Sequence, residues 1–213
     1  MDGLLVDTEP AWTVAESELA TQLGGAWTAE LKAQIVGTRL DRAVPVLLTG
    51  LGHDPTPELV ARTTGSLLAR MVELFAEGVA PLPGAVELVL RSRDAGVPLA
   101  LVSSSYRVLV DAALAQLDLS FDVVVAGDEV GLAKPHPEPY LRACALLGVP
   151  PERAVVLEDS PAGVRSGGAA GCAVVAVPSV AGVVVEPGPR RLVVTSLVGV
   201  DLPDLDRLVR TPA

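Results

Sequence analysis

Three carboxylates stand where an apolar stretch of the sequence gives way to a turn. Asp2 precedes Gly3 at the start of the chain, and Glu158 with Asp159 follows the apolar residues 154–157. Oxygen ligands placed side by side suit Mg2+, and a lone carboxylate can donate a proton and later take one back. The pattern predicts a metal site in which Asp159 is the stronger ligand and Glu158 binds directly or through water. Asp2 is the candidate for such proton transfer, as a general acid/base.

Hydroxyl and ammonium groups follow two other stretches of this kind. Ser103 and Ser104 come directly after the apolar residues 99–102, and Lys134 lies in a proline-rich loop. A serine hydroxyl and the amides at a helix start can bind phosphoryl oxygens, and a lysine can neutralise their charge. A serine cluster before a helix is also a common helix cap, and a single lysine is commonly a solvated surface charge. Taken one by one, these residues leave both alternatives open.

The elements that must position these residues change in kind along the chain. Helical periodicity marks residues 12–23, 40–51 and 58–76. After the prolines and glycine of residues 81–84, candidate strands at 98–102, 123–126, 154–157, 173–177 and 192–195 alternate with helical segments near 85–95, 106–117, 137–147 and 162–169. Such alternation is typical of a parallel α/β sheet, in which the ends of neighbouring strands meet at one edge.

The predicted fold is therefore an α/β core with a Rossmann-like parallel sheet and an inserted helical domain. Residues 1–11 and 79–213 are assigned to the core, and residues 12–78 to the insert. Residues 182–191, which are rich in proline and glycine, are predicted to form a surface loop.

Composition restricts the partners of the protein. The 213 residues carry a formal charge of −10 and have a pI of about 4.6, which argues against nucleic acid or an anionic membrane as a partner. No signal peptide and no apolar stretch of about 18 residues is visible, and Cys144 and Cys172 lack metal-site or redox spacing. We expect a cytoplasmic monomer or weak homodimer with buried, reduced thiols and a small phosphorylated metabolite as its ligand.

In order and spacing, these segments resemble the motifs of the haloacid dehalogenase-like phosphohydrolases over nearly the whole chain. Residues 2–9 match the end of that family's Asp-x-Asp-Gly-x-x-x-Asp-Thr/Ser-Glu pattern, and Lys134 opens its Lys-Pro-x-Pro-x-x-Tyr arrangement. The resemblance implies a Mg2+-dependent phosphatase that works through an aspartyl-phosphate, with the insert as its small helical cap. It also implies that Asp2 offers its backbone carbonyl to the metal, and that Ser103, Ser104 and Lys134 bind the phosphoryl group.

The same alignment places the family's nucleophile outside the 213-residue sequence. Asp2 matches the second Asp of the pattern, so the nucleophilic Asp would directly precede Met1. The strand that leads to it would be central in the sheet, and its loss would leave buried backbone groups unpaired at roughly 1–3 kcal/mol each. We therefore expect that the first core strand is missing, that the 213-residue chain has little activity, and that a form extended upstream is active. A catalytically inactive binding protein is the alternative.

The residues after the first motif are similar to those of sugar-phosphate and polyol-phosphate phosphatases in this family. Trp12 stands where the related β-phosphoglucomutases have a His, and a phosphomutase is a further alternative. A Trp at this position is also compatible with a role in the core of the insert. Arg39, near the start of a predicted helix, is the best cation for contact with the leaving group, although an arginine there is commonly solvated.

Overall fold

A block of four helices, counted in the described part of the chain, is inserted between two short strands near the beginning. The computed structural model describes residues 1–35, 38–179 and 185–212. The inserted helices are α1 (Glu9–Gln22), α2 (Ala29–Ile35), α3 (Leu40–Gly50) and α4 (Pro57–Ala76), here called the helical insert. Before and after them, β1 (Val6–Asp7) pairs with β2 (Ala80–Pro81) in antiparallel register. The chain therefore enters and leaves the helical insert at one place.

Beyond β2 the chain alternates between helices and Val-rich strands. The strands are β3 (Ala100–Val102), β4 (Val123–Val125), β5 (Val155–Glu158), β6 (Ala173–Ala176) and β7 (Arg191–Val193). The helices are α5 (Ala85–Asp94), α6 (Arg107–Leu117), α7 (Glu138–Leu147), α8 (Pro161–Ala169) and α9 (Leu202–Arg210). Branched side chains favour the extended backbone of the strands, and the parallel pairing described next confirms the predicted α/β class.

The strands form two separate parallel groups. β3 pairs with β4, and β5 pairs with β6, which in turn pairs with β7. Within the described residues, β3 and β5 are not paired with each other. An apolar cavity of about 1000 Å³ lies between them, lined by residues of both strands and by Leu88 of α5 and Leu205 of α9. The further strand expected between β3 and β5 stays a prediction.

Helix α8 shows how local sequence delivers the carboxylates that end β5. The Ser160 hydroxyl accepts a hydrogen bond from the Gly163 backbone N–H at 3.0 Å, and Pro161 occupies the first helical position. A serine cap followed by proline is a strong helix start, because it satisfies a free N–H and presets the backbone. The helix therefore begins at Pro161, three residues after Glu158, so that Glu158 ends β5 and Asp159 lies in the turn.

Packing holds the helical insert against the α/β part. Helix α4 packs on α6, and both belong to one apolar cluster that runs from the insert into the sheet. Phe75, Met71 and Leu47 are among its most deeply buried side chains. Burial of this kind stabilises by roughly 1.5–3 kcal/mol per large side chain, so the insert has a defined seat above the sheet. The division into residues 1–11 with 79–213 and residues 12–78 remains a prediction about folding units.

Some elements differ from the sequence-based expectation. Helices α2 and α9 and the β1–β2 pair were not predicted. Strands β3, β4, β6 and β7 are shorter than predicted by one or two residues, and β5 has the predicted length but is shifted by one residue. Seven residues give α2 too weak a periodicity, whereas α9 has Leu at i, i+3 and i+6, a signal that was available. Of the predicted 182–191 loop, residues 182–184 lie outside the described part, and Arg191 opens β7. Among the described helices, none is both long and apolar enough to cross a bilayer.

Candidate active site

One large cavity lies between the helical insert and the carboxyl ends of the core strands. Its volume is about 1280 Å³, and both the insert and the core contribute to its walls. The core wall contains every core residue that the sequence singled out: Asp2, Ser103, Ser104, Lys134, Glu158 and Asp159. Residues up to 157 positions apart in the chain therefore meet at one place, because the strand ends converge there.

Asp2 is held by hydroxyl groups from two directions. Its Oδ1 accepts a hydrogen bond from Thr8 Oγ1 at 2.7 Å. Its Oδ2 accepts one from Ser105 Oγ at 2.8 Å and a longer one from Ser103 Oγ at 3.4 Å. Three hydroxyl donors fix the carboxylate in position without neutralising it, which suits a group that must give and take a proton. Sequence reasoning missed Ser105, whose role depends on a partner 103 residues away.

Gly3 lets a second carboxylate approach Asp2. Gly3 has a positive φ of 69°, and a Cβ atom built on it would lie 2.3 Å from Oδ2 of Asp159. Only a residue without a side chain permits both this backbone conformation and this contact. Asp159 also accepts a hydrogen bond from Ser179 Oγ at 2.6 Å. Burial raises the pKa of Asp159, and the hydrogen bond from Ser179 opposes that shift only in part. The protein groups around Asp159 therefore do not fully offset the cost of burying its negative charge.

Glu158 has a different environment and a different role. Its Oε1 accepts hydrogen bonds from Lys134 Nζ at 2.5 Å and from the Tyr140 hydroxyl, and its Oε2 accepts from Ser160. The Lys134 and Glu158 side chains are 8% and 7% exposed, so the pair is buried. Burial alone would raise the pKa of Glu158, but the charge of Lys134 and the bonds from Lys134 and Tyr140 lower it to about 2.

The contacts of Glu158 bear on the two forms of metal binding predicted for it, direct or through water, and its metal role stays a prediction. Both of its oxygens are already used by donors of the protein, and Gly163 packs directly against the carboxylate. A hard cation would have to displace a buried ammonium group to reach it. Among the two alternatives that the sequence left open, the structure favours contact through water.

The Asp159 carboxylate and the backbone carbonyl of Asp2 are the predicted oxygen donors for Mg2+, and this ligand set stays a prediction. Both carboxylates line the cavity, and the Asp159 oxygen lies over the residue that follows Asp2. No group of three or more His, Cys, Asp and Glu side chains arranged to hold a metal occurs in the described residues. Mg2+ is commonly held by one or two carboxylates, with water and substrate phosphate completing its six positions. One carboxylate, Asp159, and one backbone carbonyl, that of Asp2, beside an open cavity agree with that pattern.

The serine cluster does not cap the following helix. Helix α6 begins at Arg107, its N-cap is Tyr106, and that cap makes no side-chain hydrogen bond. The Ser103 hydroxyl instead accepts from the Ser105 backbone N–H at 3.1 Å and faces Asp2. Ser104 lines the cavity, and its carbonyl sits against Gly127, where a Cβ atom would lie 2.0 Å from the carbonyl oxygen. The alternative of a helix cap is therefore wrong, and the phosphate-binding role of Ser103 and Ser104 stays a prediction.

Arg39 connects the helical insert to the core. Its guanidinium pairs with Asp41 and donates to the backbone carbonyls of Gly127 at 3.0 Å and Val130 at 3.2 Å. It is not among the described residues that line the cavity. These contacts place Arg39 at the junction of insert and core, and its predicted contact with the leaving group receives no support from this position. Of the segment that leads to it, residues 36 and 37 lie outside the described part.

The insert wall of the cavity contains polar residues that the sequence did not single out. Lys32 of α2 pairs with Glu9 and donates to Thr13 Oγ1 at 2.9 Å. Glu16, one turn after Thr13 on α1, also lines the cavity and is only 8% exposed. The available signal was a polar pair at i, i+3 within an otherwise apolar helix face. Trp12 lines the same wall and packs partly against the apolar cluster, which agrees with the place in the core of the insert considered for it.

Comparisons with known proteins relate the chain to one group of hydrolases. Residues 1–171 match the family described as haloacid dehalogenase-like hydrolase. The protein CbbY of Rhodobacter capsulatus is 35% identical over 189 residues, which cover 84% of this chain and 83% of that protein. Hexitol phosphatase A of Escherichia coli is 36% identical over 179 residues, which cover 83% of this chain and 80% of that protein.

A solved structure of a protein with the same name as one of these relatives has a similar fold. The crystal structure of CbbY from Rhodobacter sphaeroides in complex with phosphate has a TM-score of 0.86 to this chain, at 31% sequence identity. The match covers 97% of this chain and 96% of that chain. A match of this extent includes the helical insert as well as the sheet, so the two walls of the cavity have counterparts in the related structure.

Proposed function

The chain belongs to the haloacid dehalogenase-like hydrolases, and we propose that it hydrolyses a small phosphate monoester, a sugar or polyol phosphate. The observation that carries this proposal is the pair of Asp2 and Asp159, adjacent at the strand ends and open to a cavity that the insert covers. Relatives named for phosphatase activity on hexitols and on phosphorylated carbohydrates support the class of substrate.

The chemistry follows from the groups on the core wall. A carboxylate nucleophile attacks phosphorus, the bond to the leaving oxygen breaks, and Asp2 gives its proton to that oxygen. Water then attacks the aspartyl-phosphate, Asp2 takes the proton from the water, and the carboxylate is released with free phosphate. The hydroxyls of Thr8 and Ser105 keep Asp2 aimed at the reacting oxygen through both steps. The Ser103 hydroxyl, whose bond to Asp2 is long at 3.4 Å, can turn its one proton to a phosphoryl oxygen instead.

The phosphoryl group would be bound by donors that remain available. An ammonium group has three donor positions, and Lys134 uses two, on Glu158 and on the Val102 carbonyl at 3.1 Å. The third can reach a phosphoryl oxygen, together with the hydroxyls of Ser103 and Ser104. The Asp159 carboxylate and the Asp2 backbone carbonyl would hold Mg2+, with Glu158 acting through water, and the Asp2 carboxylate stays available for proton transfer. The ion, when bound, would supply positive charge that stabilises the phosphoryl oxygens in the transition state.

The nucleophile of this mechanism belongs, in our proposal, to a strand that fills the apolar cavity between β3 and β5. The motif places the nucleophilic Asp directly before Met1, and Met1 itself lines that cavity. A strand there would pair with the free edges of β3 and β5 and would end beside Asp2. The proposal therefore rests on the cavity and on the motif together.

The test compares the 213-residue chain with a form extended upstream through the natural coding sequence. Both are assayed for Mg2+-dependent release of phosphate from a panel of sugar and polyol monophosphates, with a chelator as control. We expect turnover by the extended form and little by the shorter one. Robust turnover by the shorter chain would contradict the assigned position of the nucleophile.

Two further outcomes identify the alternatives. An extended form that binds phosphate esters but releases no phosphate supports a binding protein. Transfer of phosphate between positions of a hexose phosphate, without release of free phosphate, supports a phosphomutase. Phosphate detection identifies the phosphatase, and analysis of the sugar phosphates left in the same samples separates a phosphomutase, which isomerises them, from a binding protein, which leaves them unchanged.

A further inference from the structure

Glu16 is a buried carboxyl group in the cavity that the proposed reaction does not use. It lies on α1, on the insert wall, opposite the wall that contains Asp2 and Asp159. Only 8% of it is exposed, although the cavity beside it measures about 1280 Å³. A carboxyl group in such a position is costly unless something binds it, because burial removes its water.

Glu16 differs in its contacts from the other carboxylates around the cavity. Asp2, Asp159 and Glu158 each accept hydrogen bonds from protein hydroxyl or ammonium groups. Glu9 pairs with Lys32. Among the described residues, no donor forms a hydrogen bond with the Glu16 carboxyl group. The carboxyl group is buried, and the charges of Glu9 and Lys32 act on it without a hydrogen bond. Its hydrogen-bonding capacity therefore remains available to a ligand.

Two polar neighbours extend this capacity along the insert wall. Thr13 lies one turn before Glu16 on the same face of α1, and its Oγ1 accepts a hydrogen bond from Lys32. The hydroxyl proton of Thr13 is then free to be donated elsewhere. Thr13, Glu16 and Lys32 together form what we call the insert cluster, and all three line the cavity.

The charge of the insert cluster argues against a second anionic group on the ligand. Lys32 is the one cation that the described insert residues contribute to the cavity lining, and Glu9 neutralises it. Burial, and then the charge of Glu9, raises the pKa of Glu16 to about 7, with Lys32 opposing the shift. Near neutral pH the Glu16 carboxyl group can therefore both donate and accept, as sugar and polyol hydroxyls do.

We propose that Glu16 determines specificity by binding hydroxyl groups of the leaving alcohol, with Thr13 and Lys32 beside it. The substrate class is then the monophosphate of a neutral polyhydroxy compound, and bisphosphates and phosphorylated acids are disfavoured. This inference rests on the proposed function, because it assigns the phosphate to the core wall. It goes further by assigning the remainder of the substrate to a named residue of the insert.

Binding measurements on the 213-residue chain test the inference without turnover. Affinities for inorganic phosphate, a hexitol monophosphate, a sugar bisphosphate and phosphoglycolate are measured by calorimetry in the presence of Mg2+. We expect the hexitol monophosphate to bind best. Glu16→Ala should weaken its binding by about tenfold, while inorganic phosphate changes by less than about twofold. Glu16→Gln, which can still donate and accept, should restore most of the affinity.

Glu18→Ala is the matched control, because Glu18 lies on the same helix and pairs with Arg70 instead of lining the cavity. Glu18→Ala should change the affinity neither for inorganic phosphate nor for the hexitol monophosphate. Equal weakening of phosphate and hexitol phosphate by Glu16→Ala would show a structural role and overturn the inference. Tighter binding of the bisphosphate than of the monophosphate would also overturn it, with the proposed function intact. Failure of the wild-type chain to bind any of the phosphate esters would overturn the inference, and turnover by the upstream-extended form then decides the proposed function separately.

Discussion

The two lysines of this chain lie on opposite walls of one cavity, and they have opposite environments. Lys134, on the core wall, is buried with Glu158, and their side chains are 8% and 7% exposed. Lys32, on the insert wall, pairs with a Glu9 side chain that is 55% exposed and is itself 29% exposed. The same residue type therefore forms a fixed internal charge on one wall and an adaptable surface contact on the other.

The difference follows from what each wall has to recognise. Every phosphate ester presents the same phosphoryl group, so the core wall can hold its charges in one arrangement with most donors already used. Leaving groups vary, and the insert wall accordingly keeps Glu16 without a protein hydrogen-bond donor among the described residues. Preorganised charge suits chemistry, because no reorganisation is needed at the moment of reaction. Free hydrogen-bonding capacity suits selection among alcohols.

The largest expected effect comes from removing the proton-transfer group of the core wall. In the upstream-extended form, Asp2→Asn should lower kcat for phosphate release by about 10²–10⁴-fold, because an amide cannot give and take the proton. Ser105→Ala, which removes one of the hydroxyls on Asp2, should cost only about fivefold. Steady-state kinetics with one good substrate measures both.

Glu18→Gln on the insert is the control for these kinetics, since Glu18 pairs with Arg70 away from the cavity. It should leave kcat unchanged. If Asp2→Asn retained kcat within about threefold, the assignment of Asp2 as general acid/base would be wrong. Circular dichroism and the unfolding midpoint of each variant separate lost chemistry from lost folding.

The difference between the two lysine environments can be tested by measuring how much each lysine contributes to the free energy of unfolding. Lys134→Met should lower the free energy of unfolding by about 3–5 kcal/mol, because it leaves Glu158 buried without its cation. The matched Lys32→Met change should cost less than about 1 kcal/mol, since that pair is largely solvated. Urea denaturation at neutral pH measures both values. Equal losses would contradict the distinction between the walls, and adding Glu158→Gln to Lys134→Met should recover part of the loss.

A smaller effect is expected in the pH dependence of stability. The pKa of Glu16 is raised in the folded protein from 4.5 to about 7, chiefly by burial. The folded state thus holds the proton more tightly than the unfolded state. The resulting stability is complete below about pH 4.5 and is lost as the pH rises through 7, by about 3 kcal/mol in total. Glu16→Gln should not show this loss.

The measurement is the difference in unfolding free energy between wild type and Glu16→Gln, taken at several pH values between 4 and 8. That difference should shift in favour of the variant as the pH rises. Glu18→Gln should not follow this trend, because hydrogen bonding to Arg70 lowers the pKa of Glu18. A difference that stays constant across this range would show that Glu16 is not buried as described.

Much of the core wall could be predicted because each of its residues sits at a fixed offset from a local pattern. Glu158 and Asp159 end an apolar strand before a serine-capped helix, and Lys134 follows a glycine in a proline-rich loop. Short-range sequence determines where a strand stops, and parallel strands bring those stops together. The family assignment depended on the same offsets and was confirmed.

The residues of the insert wall, and the different contacts of the individual carboxylates, could not be predicted from such local patterns. The sequence favoured Arg39 as the cation that contacts the leaving group. In the structure its guanidinium is bound to Asp41 and to core carbonyls far along the chain. Glu16 lies in no recognised motif. Its proposed importance depends on the lack of a hydrogen-bond donor to its carboxyl group among the described residues. The burial that sets its pKa depends on helices whose packing no local pattern specifies.

The sequence by itself determined the α/β class, the order of the motifs and the set of core residues that line the cavity, since each depends on the local alternation of apolar and polar positions. Only the tertiary structure decided that Glu158 pairs with Lys134, that Ser105 supports Asp2 and that Glu16 faces the cavity. These contacts join residues distant in the chain, and their energies depend on distance and on burial, which exist only after the chain has folded.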